Sequence, residues 1–134
     1  MRRILLPLLL PLSLLGADPP NVIIIQTDEH NLRTLGCYRD HMSPEQAFVW
    51  GKGNQVDTPQ IDSLARDGVI CTNYFAASPV CTPSRASWVS GLYPQATGSP
   101  SNNLPLKDSI VTFAEVLHKR GYATSYLGKW HLDG

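Results

Sequence analysis

The sequence predicts an α/β protein built on a largely parallel sheet. Three observations predict it. Val22-Ile23-Ile24-Ile25 is a continuous β-branched run, the pattern of a strand covered on both faces. Amphipathic, capped segments follow such apolar stretches along the chain. Strand and helix patterns alternate, which is the order that gives a layered α/β sheet.

The first segment is of another kind. Arg2 and Arg3 precede an apolar run, Ile4 to Leu15, interrupted by Pro7, Pro11 and Ser13, and small residues Gly16 and Ala17 follow. A basic start, a short apolar stretch and small residues make a secretory signal over residues 1–17. The stretch is too short and proline-rich for a stable membrane span. Residues 18–134 are then an exported, periplasmic or extracellular, polypeptide.

The first strand is expected over Asn21–Thr27, with Asp28, Glu29 and His30 beyond its carboxyl end, where sites in open α/β sheets gather. Leu32 to Val56 is irregular and reads as a long loop with one helical turn. Thr58 and Pro59 open a helix whose apolar face is Ile61, Leu64 and Ala65 and which Gly68 ends. Val69–Phe75 reads as the second strand, Ala76–Thr82 as a loop, and Pro83 as the start of a short helix through Ser90. After a loop from Pro94 to Pro105, Asp108 or Ser109 caps a helix facing inward through Ile110, Phe113, Ala114 and Leu117. His118, Lys119 and Arg120 suit its C-terminal end and Gly121 terminates it. Tyr122–Leu127 alternates in polarity as a third strand. The chain stops soon after it, at Gly134. A three-stranded sheet with open edges ends poorly there, so the expected piece is the N-terminal part of a longer catalytic domain.

Composition narrows the function. The 134 residues are 43% hydrophobic, enough for a small core. Lys plus Arg and Asp plus Glu are 11 each, so no basic field points to nucleic acid. Three cysteines, Cys37, Cys71 and Cys81, are an odd number for an exported chain and flag a thiol with a separate task.

Three short segments carry the chemistry. In Cys81-Thr82-Pro83-Ser84-Arg85, Cys81 sits beside a helix N-terminus whose backbone N–H groups suit an anion. Arg85, four residues on, reaches the same end with a planar fork. A nucleophile beside an anion cradle suits sulfuryl or phosphoryl transfer. The spacing alone also fits a plain helix cap with a buried Cys and a surface Arg. In Gly128-Lys129-Trp130-His131, an extended backbone would put Lys129 and His131 on one face and Trp130 in the core. A cation and a proton-transfer group suit an anionic ester. A surface Lys with a packed His fits as well. Asp28 and Glu29 are adjacent carboxylates that suit a hard cation, Ca²⁺ or Mg²⁺, or a helix cap.

These segments together resemble the sulfatase family. Cys81-Thr82-Pro83-Ser84-Arg85 is similar to its C-x-P-S-R signature. Gly121-Tyr122-Ala123-Thr124 through Gly128-Lys129-Trp130-His131 is similar to its G-Y-x-T through G-K-W-H signature. Asn21 through His30 resembles the family's opening strand and metal turn, and Thr58-Pro59-Gln60-Ile61-Asp62 through Gly68 resembles its T-P-N-I-D segment. The resemblance implies an alkaline-phosphatase-like layered fold. It implies a sulfuric ester hydrolase whose Cys81 is oxidised to formylglycine by a formylglycine-generating enzyme. Arg85 would hold the modified residue, Lys129 would bind it and the sulfate, and His131 would bond the hydrate and move protons. Asp28, Glu29 and the modified Cys81 would contact a divalent cation, Ca²⁺ or Mg²⁺. The partners implied are that modifying enzyme and a sulfate-ester substrate, with sulfated glycans in view for an exported enzyme. Glu29 departs from the Asp-Asp or Asp-Gln turn of many members. The family's later Asp-Asn metal pair, Lys and His fall beyond Gly134, so this polypeptide alone is expected to be inactive. A phosphate or phosphonate ester hydrolase of the same superfamily, and a catalytically incomplete secreted α/β module, are the alternatives.

Overall fold

A computed structural model describes residues 18–134. The expected signal over 1–17 lies outside the described residues. Among the described residues six α-helices follow in order: α1 Gly36–Arg39, α2 Pro44–Ala47, α3 Pro59–Asp67, α4 Cys81–Ser90, α5 Pro94–Thr97 and α6 Phe113–Lys119. Two 3-10 turns, Leu32–Thr34 and Lys52–Asn54, flank α1 and α2. The stretch expected as one long loop thus holds several short helical turns. One of them carries a full capping box: Ser43 Oγ accepts from Gln46 N while Gln46 Oε1 accepts from Ser43 N.

No strand is formed among the described residues. The three segments expected as strands run through irregular backbone. In the first, exposure alternates: Val22 and Ile24 are 54% and 51% exposed, Ile23 and Ile25 83% and 82%. That period of two is the side alternation of a strand, without a neighbouring ladder to pair with.

Helix α3 has the bounds the sequence implied, with Pro59 in its first turn and Gly68 as its C-cap. Thr58 precedes it without a side-chain cap bond to the helix backbone. Its hydroxyl instead donates to Asp62 Oδ1 (3.0 Å) and accepts from Gly36 N (2.9 Å). Asp62 also accepts from Cys37 N at 2.8 Å, so one carboxylate ties α1 to α3. Gly36 is required there, because a Cβ would lie 2.3 Å from Asp62 Oδ2. Burial, with the Asp62 carboxylate beside it, pushes the Cys37 thiol up. Ile61 and Leu64 remain 41% and 69% exposed, so the apolar face of α3 is largely uncovered.

Helix α4 is the centre of the packed half. It opens at Cys81, two residues earlier than Pro83 implied, because proline is tolerated anywhere in a first turn that needs no N–H partner. Gly91, at φ 70, closes it in the left-handed conformation with its N–H on Ser87 O. Ala86 and Val89 of α4 meet Leu132 in the core, and Trp88, Leu106 and Phe113 pack around them. Trp88 and Phe113 meet edge to face with ring centroids 5.1 Å apart, which joins α4 to α6. Leu106 N donates to Leu132 O at 3.0 Å and brings the segment after Gly128 back onto α4. Helix α6 is capped by Thr112, whose hydroxyl accepts from Glu115 N, not by Asp108 or Ser109. Ile110 therefore lies outside the helix, in a turn closed by its N–H on Lys107 O.

Candidate active site

The N-terminal half of α4 carries Cys81 and Arg85, and the core contact of Leu132 holds the Gly128–His131 segment beside it. A hydrogen bond from Thr82 fixes this approach. Thr82, fully buried, donates its hydroxyl to His131 O at 3.0 Å. Its own N–H donates to Asn102 Oδ1 at 2.9 Å, so that first-turn donor is not free for an anion. His131 takes a left-handed backbone, φ 57, and Gly128 a φ of 106. The segment is therefore no regular strand. Trp130 is 38% exposed and stacks edge-on against Tyr126, where an extended segment would have turned it into the core.

Asp28 joins the two ends of this arrangement. Its Oδ1 accepts from Arg85 Nη2 at 3.1 Å and its Oδ2 from Lys129 Nζ at 2.9 Å. Arg85 is nearly buried, and its other arm, Nη1, donates to Tyr126 Oη at 3.2 Å and to Lys129 O. The fork expected to face an oxyanion thus grips Asp28 and the turn that carries Lys129. Hydrogen bonds from Lys129 and then Arg85 hold the Asp28 carboxyl below the ordinary carboxylate range. The Asp28 hydrogen bond raises Lys129 above an ordinary lysine, and the Cys81 sulfur adds a smaller push the same way. Lys129 is therefore a fixed cation at neutral pH with the Cys81 side chain beside it.

The structure brings together Asp28, Arg85, Lys129 and Cys81. His131 joins them through its backbone, with its Nδ1 buried and unpartnered among the described residues. Glu29 stands exposed, with φ 51. A groove of about 900 Å³ runs beside this cluster, with Asp28, Arg85 and Lys129 on its polar wall and Trp88, Phe113 and Leu117 on its apolar one.

A divalent cation does not fit these residues as they stand. Both Asp28 oxygens are taken by cationic side chains. No three of His, Cys, Asp and Glu gather among the described residues, whereas Ca²⁺ takes six to eight oxygens.

Sequence reasoning missed Tyr126, Thr82 and Asn102. Thr82 and Tyr126 lie between the residues that carry the two signatures, so neither stood out. Asn102 lies in a loop, and only the approach of that loop to α4 gives it a partner.

The sulfatase family model matches residues 20–134. The chain belongs to the sulfatase family. It is 40% identical over 128 residues to a mouse steryl-sulfatase, covering 85% of this chain and 18% of that protein. It is 40% identical over 115 residues to the ulvan-active sulfatase of Formosa agariphila, covering 86% of this chain and 20% of the relative. It is 35% identical over 146 residues to human arylsulfatase D, covering 94% and 22%. The chain therefore spans about a fifth of the length of these curated relatives. No solved structure matches it. No helix of the described residues is long and apolar enough to cross a membrane.

Proposed function

We propose that this member of the sulfatase family carries the nucleophile segment of a sulfuric ester hydrolase, with Cys81 converted to formylglycine. The observation that supports this reading best is the meeting of the two signature segments. Arg85 of the first and Lys129 of the second share one carboxylate, Asp28, and Lys129 lies beside Cys81. Once converted, position 81 supplies a hydrated aldehyde able to attack the sulfur of a sulfate ester. Lys129, kept protonated by Asp28, offers its ammonium to a sulfate oxygen and to the residue at 81. Arg85 holds the turn that presents Lys129, and through Asp28 it fixes the direction of the ammonium. His131 carries an unpartnered ring nitrogen for proton movement, and Thr82, next to Cys81 in the chain, holds its backbone carbonyl. Two carboxylates, Asp28 and Glu29, are the oxygens this segment would offer to a divalent cation, Ca²⁺ or Mg²⁺. Such an ion would have to displace Lys129 and draw further ligands, so no step is assigned to it.

The substrate class is a sulfate ester, with sulfated glycans in view, and the site of action lies outside the cytoplasm. The frame proposed for it is the alkaline-phosphatase-like α/β fold, in which the Val22–Ile25 run would be a covered strand.

Co-expression with a formylglycine-generating enzyme tests the reading. The tryptic peptide ending at Arg85 should lose mass at Cys81 and gain reactivity towards hydrazides, and Arg85→Ala should block both changes. A Cys81 left wholly unmodified would sink the proposal. Turnover of 4-nitrophenyl phosphate in preference to 4-nitrophenyl sulfate would move the reading to a phosphate ester hydrolase of the same superfamily.

A further inference from the structure

We propose that Tyr126 is a positioning residue for this site, holding the Arg85 guanidinium and the Lys129 backbone in one arrangement. The inference rests on the sulfatase reading above for its consequence in catalysis, but its geometry stands on its own. Tyr126 Oη accepts from Arg85 Nη1 at 3.2 Å and donates to Lys129 O, which also accepts from the same Nη1. Three groups thus close a ring: a nearly buried guanidinium, a phenol and the carbonyl of the residue whose ammonium meets Asp28. Arg85 needs this help. Its Nε is buried and unpartnered among the described residues, so the orientation of the fork rests on its two Nη groups. The ring of Tyr126 is itself fixed by Trp130, with centroids 5.0 Å apart and planes at 78°.

The hydroxyl does two things that the ring does not. It gives Arg85 Nη1 a second acceptor, and it gives the Lys129 carbonyl a second donor. Both act on the short turn between Tyr126 and Lys129. Gly128, at φ 106, lets that turn fold back so that the phenol reaches a carbonyl three residues on. Without the hydroxyl, the turn keeps its aromatic anchor but loses a bond on each side. Lys129 then samples positions away from Asp28 and Cys81.

Tyr126→Phe removes the hydroxyl and leaves the edge-on contact with Trp130, so the chain should still fold, with a modest fall in melting temperature. Two measurements read the effect, the first on this chain and the second on one extended to the length of its sulfatase relatives. The first needs no turnover. The ¹⁵Nη resonances of Arg85 report rotation about the Nε–Cζ bond, and one lost hydrogen bond should speed that rotation about fivefold. The second is kcat/KM for 4-nitrophenyl sulfate after conversion of Cys81, expected to fall about tenfold with hydrazide labelling at Cys81 unchanged. In a Lys129→Ala background, Tyr126→Phe should change kcat/KM no further, because the phenol acts through that residue. Unchanged Arg85 rotation in Tyr126→Phe overturns the proposal. Faster rotation, with no sulfate ester turned over by the extended and converted protein, keeps the positioning role and removes the sulfatase reading.

Discussion

Replacing Thr82 by Val should loosen the tether between α4 and the His131 turn. The swap keeps the volume of the side chain and exchanges its hydroxyl for a methyl. Thr82 is 0% exposed, so no water can take over the lost bond at its side. The His131 carbonyl, 3.0 Å from the hydroxyl, loses this donor. An unsatisfied, part-buried acceptor costs about 1–3 kcal/mol. The new methyl has no polar atom to satisfy and offsets part of that. A net loss of about 1–2 kcal/mol is expected. At this chain length it should lower the melting temperature by roughly 3–4 °C per kcal/mol. Thermal denaturation by circular dichroism at neutral pH measures it, with Asn102→Ala as a companion that removes the acceptor of Thr82 N. Asn102→Ala should also destabilise, since it orphans a donor on the same buried residue. A Thr82→Val protein as stable as the wild type would refute the tether.

Two further outcomes follow from geometry already described. The Asp28 carboxyl is depressed by Lys129 and Arg85, so its contribution to stability is present above the usual carboxylate value and is lost as pH falls through the depressed one. Lys129 is raised by Asp28, so the same pair persists below the usual lysine value and is lost as pH rises through the raised one. The melting-temperature gap between wild type and Asp28→Asn should therefore be widest near neutrality, close at low pH and narrow at high pH, where the Arg85 pair alone remains; a gap independent of pH contradicts the pairing. Gly36→Ala should destabilise the α1–α3 half by driving its Cβ into Asp62, and hydrogen exchange at Cys37 N–H should quicken; unaltered protection there would show that Asp62 moves aside freely.

Local signals were the legible part of this molecule. Pro59 and Gly68 bracket α3 at its observed ends, because a first-turn proline and a terminal glycine act within a few residues. The T-x-x-E box at Thr112 and Glu115 was equally local and marks the true start of α6. Asp108 and Ser109 drew attention from it because either is also a good cap. Strands are another matter. A ladder needs a partner from elsewhere in the sequence, and the pattern of Val22–Ile25 describes a face without naming what covers it. The cluster of site residues was legible as three motifs with chemistry. Their joint was not: no spacing says that Arg85 turns towards Asp28 and the Lys129 carbonyl, and the phenol that completes the joint sits between the matched ends of its motif.

Asp28 stands 57 positions from Arg85 and 101 from Lys129, and those separations set an order of events in folding. Closing such loops costs entropy that grows only slowly with length, but it must be met before the contact gives anything back. Helix α4, by contrast, needs only its own ten residues and neighbouring turns. During synthesis at about 5–20 residues per second, the 44 positions from Arg85 to Lys129 take roughly 2–9 s to appear. For that interval Cys81 and Arg85 emerge with the guanidinium's later partners still unmade. The Cys81–Arg85 segment is thus reachable in the nascent chain before Asp28 can bridge Arg85 to Lys129.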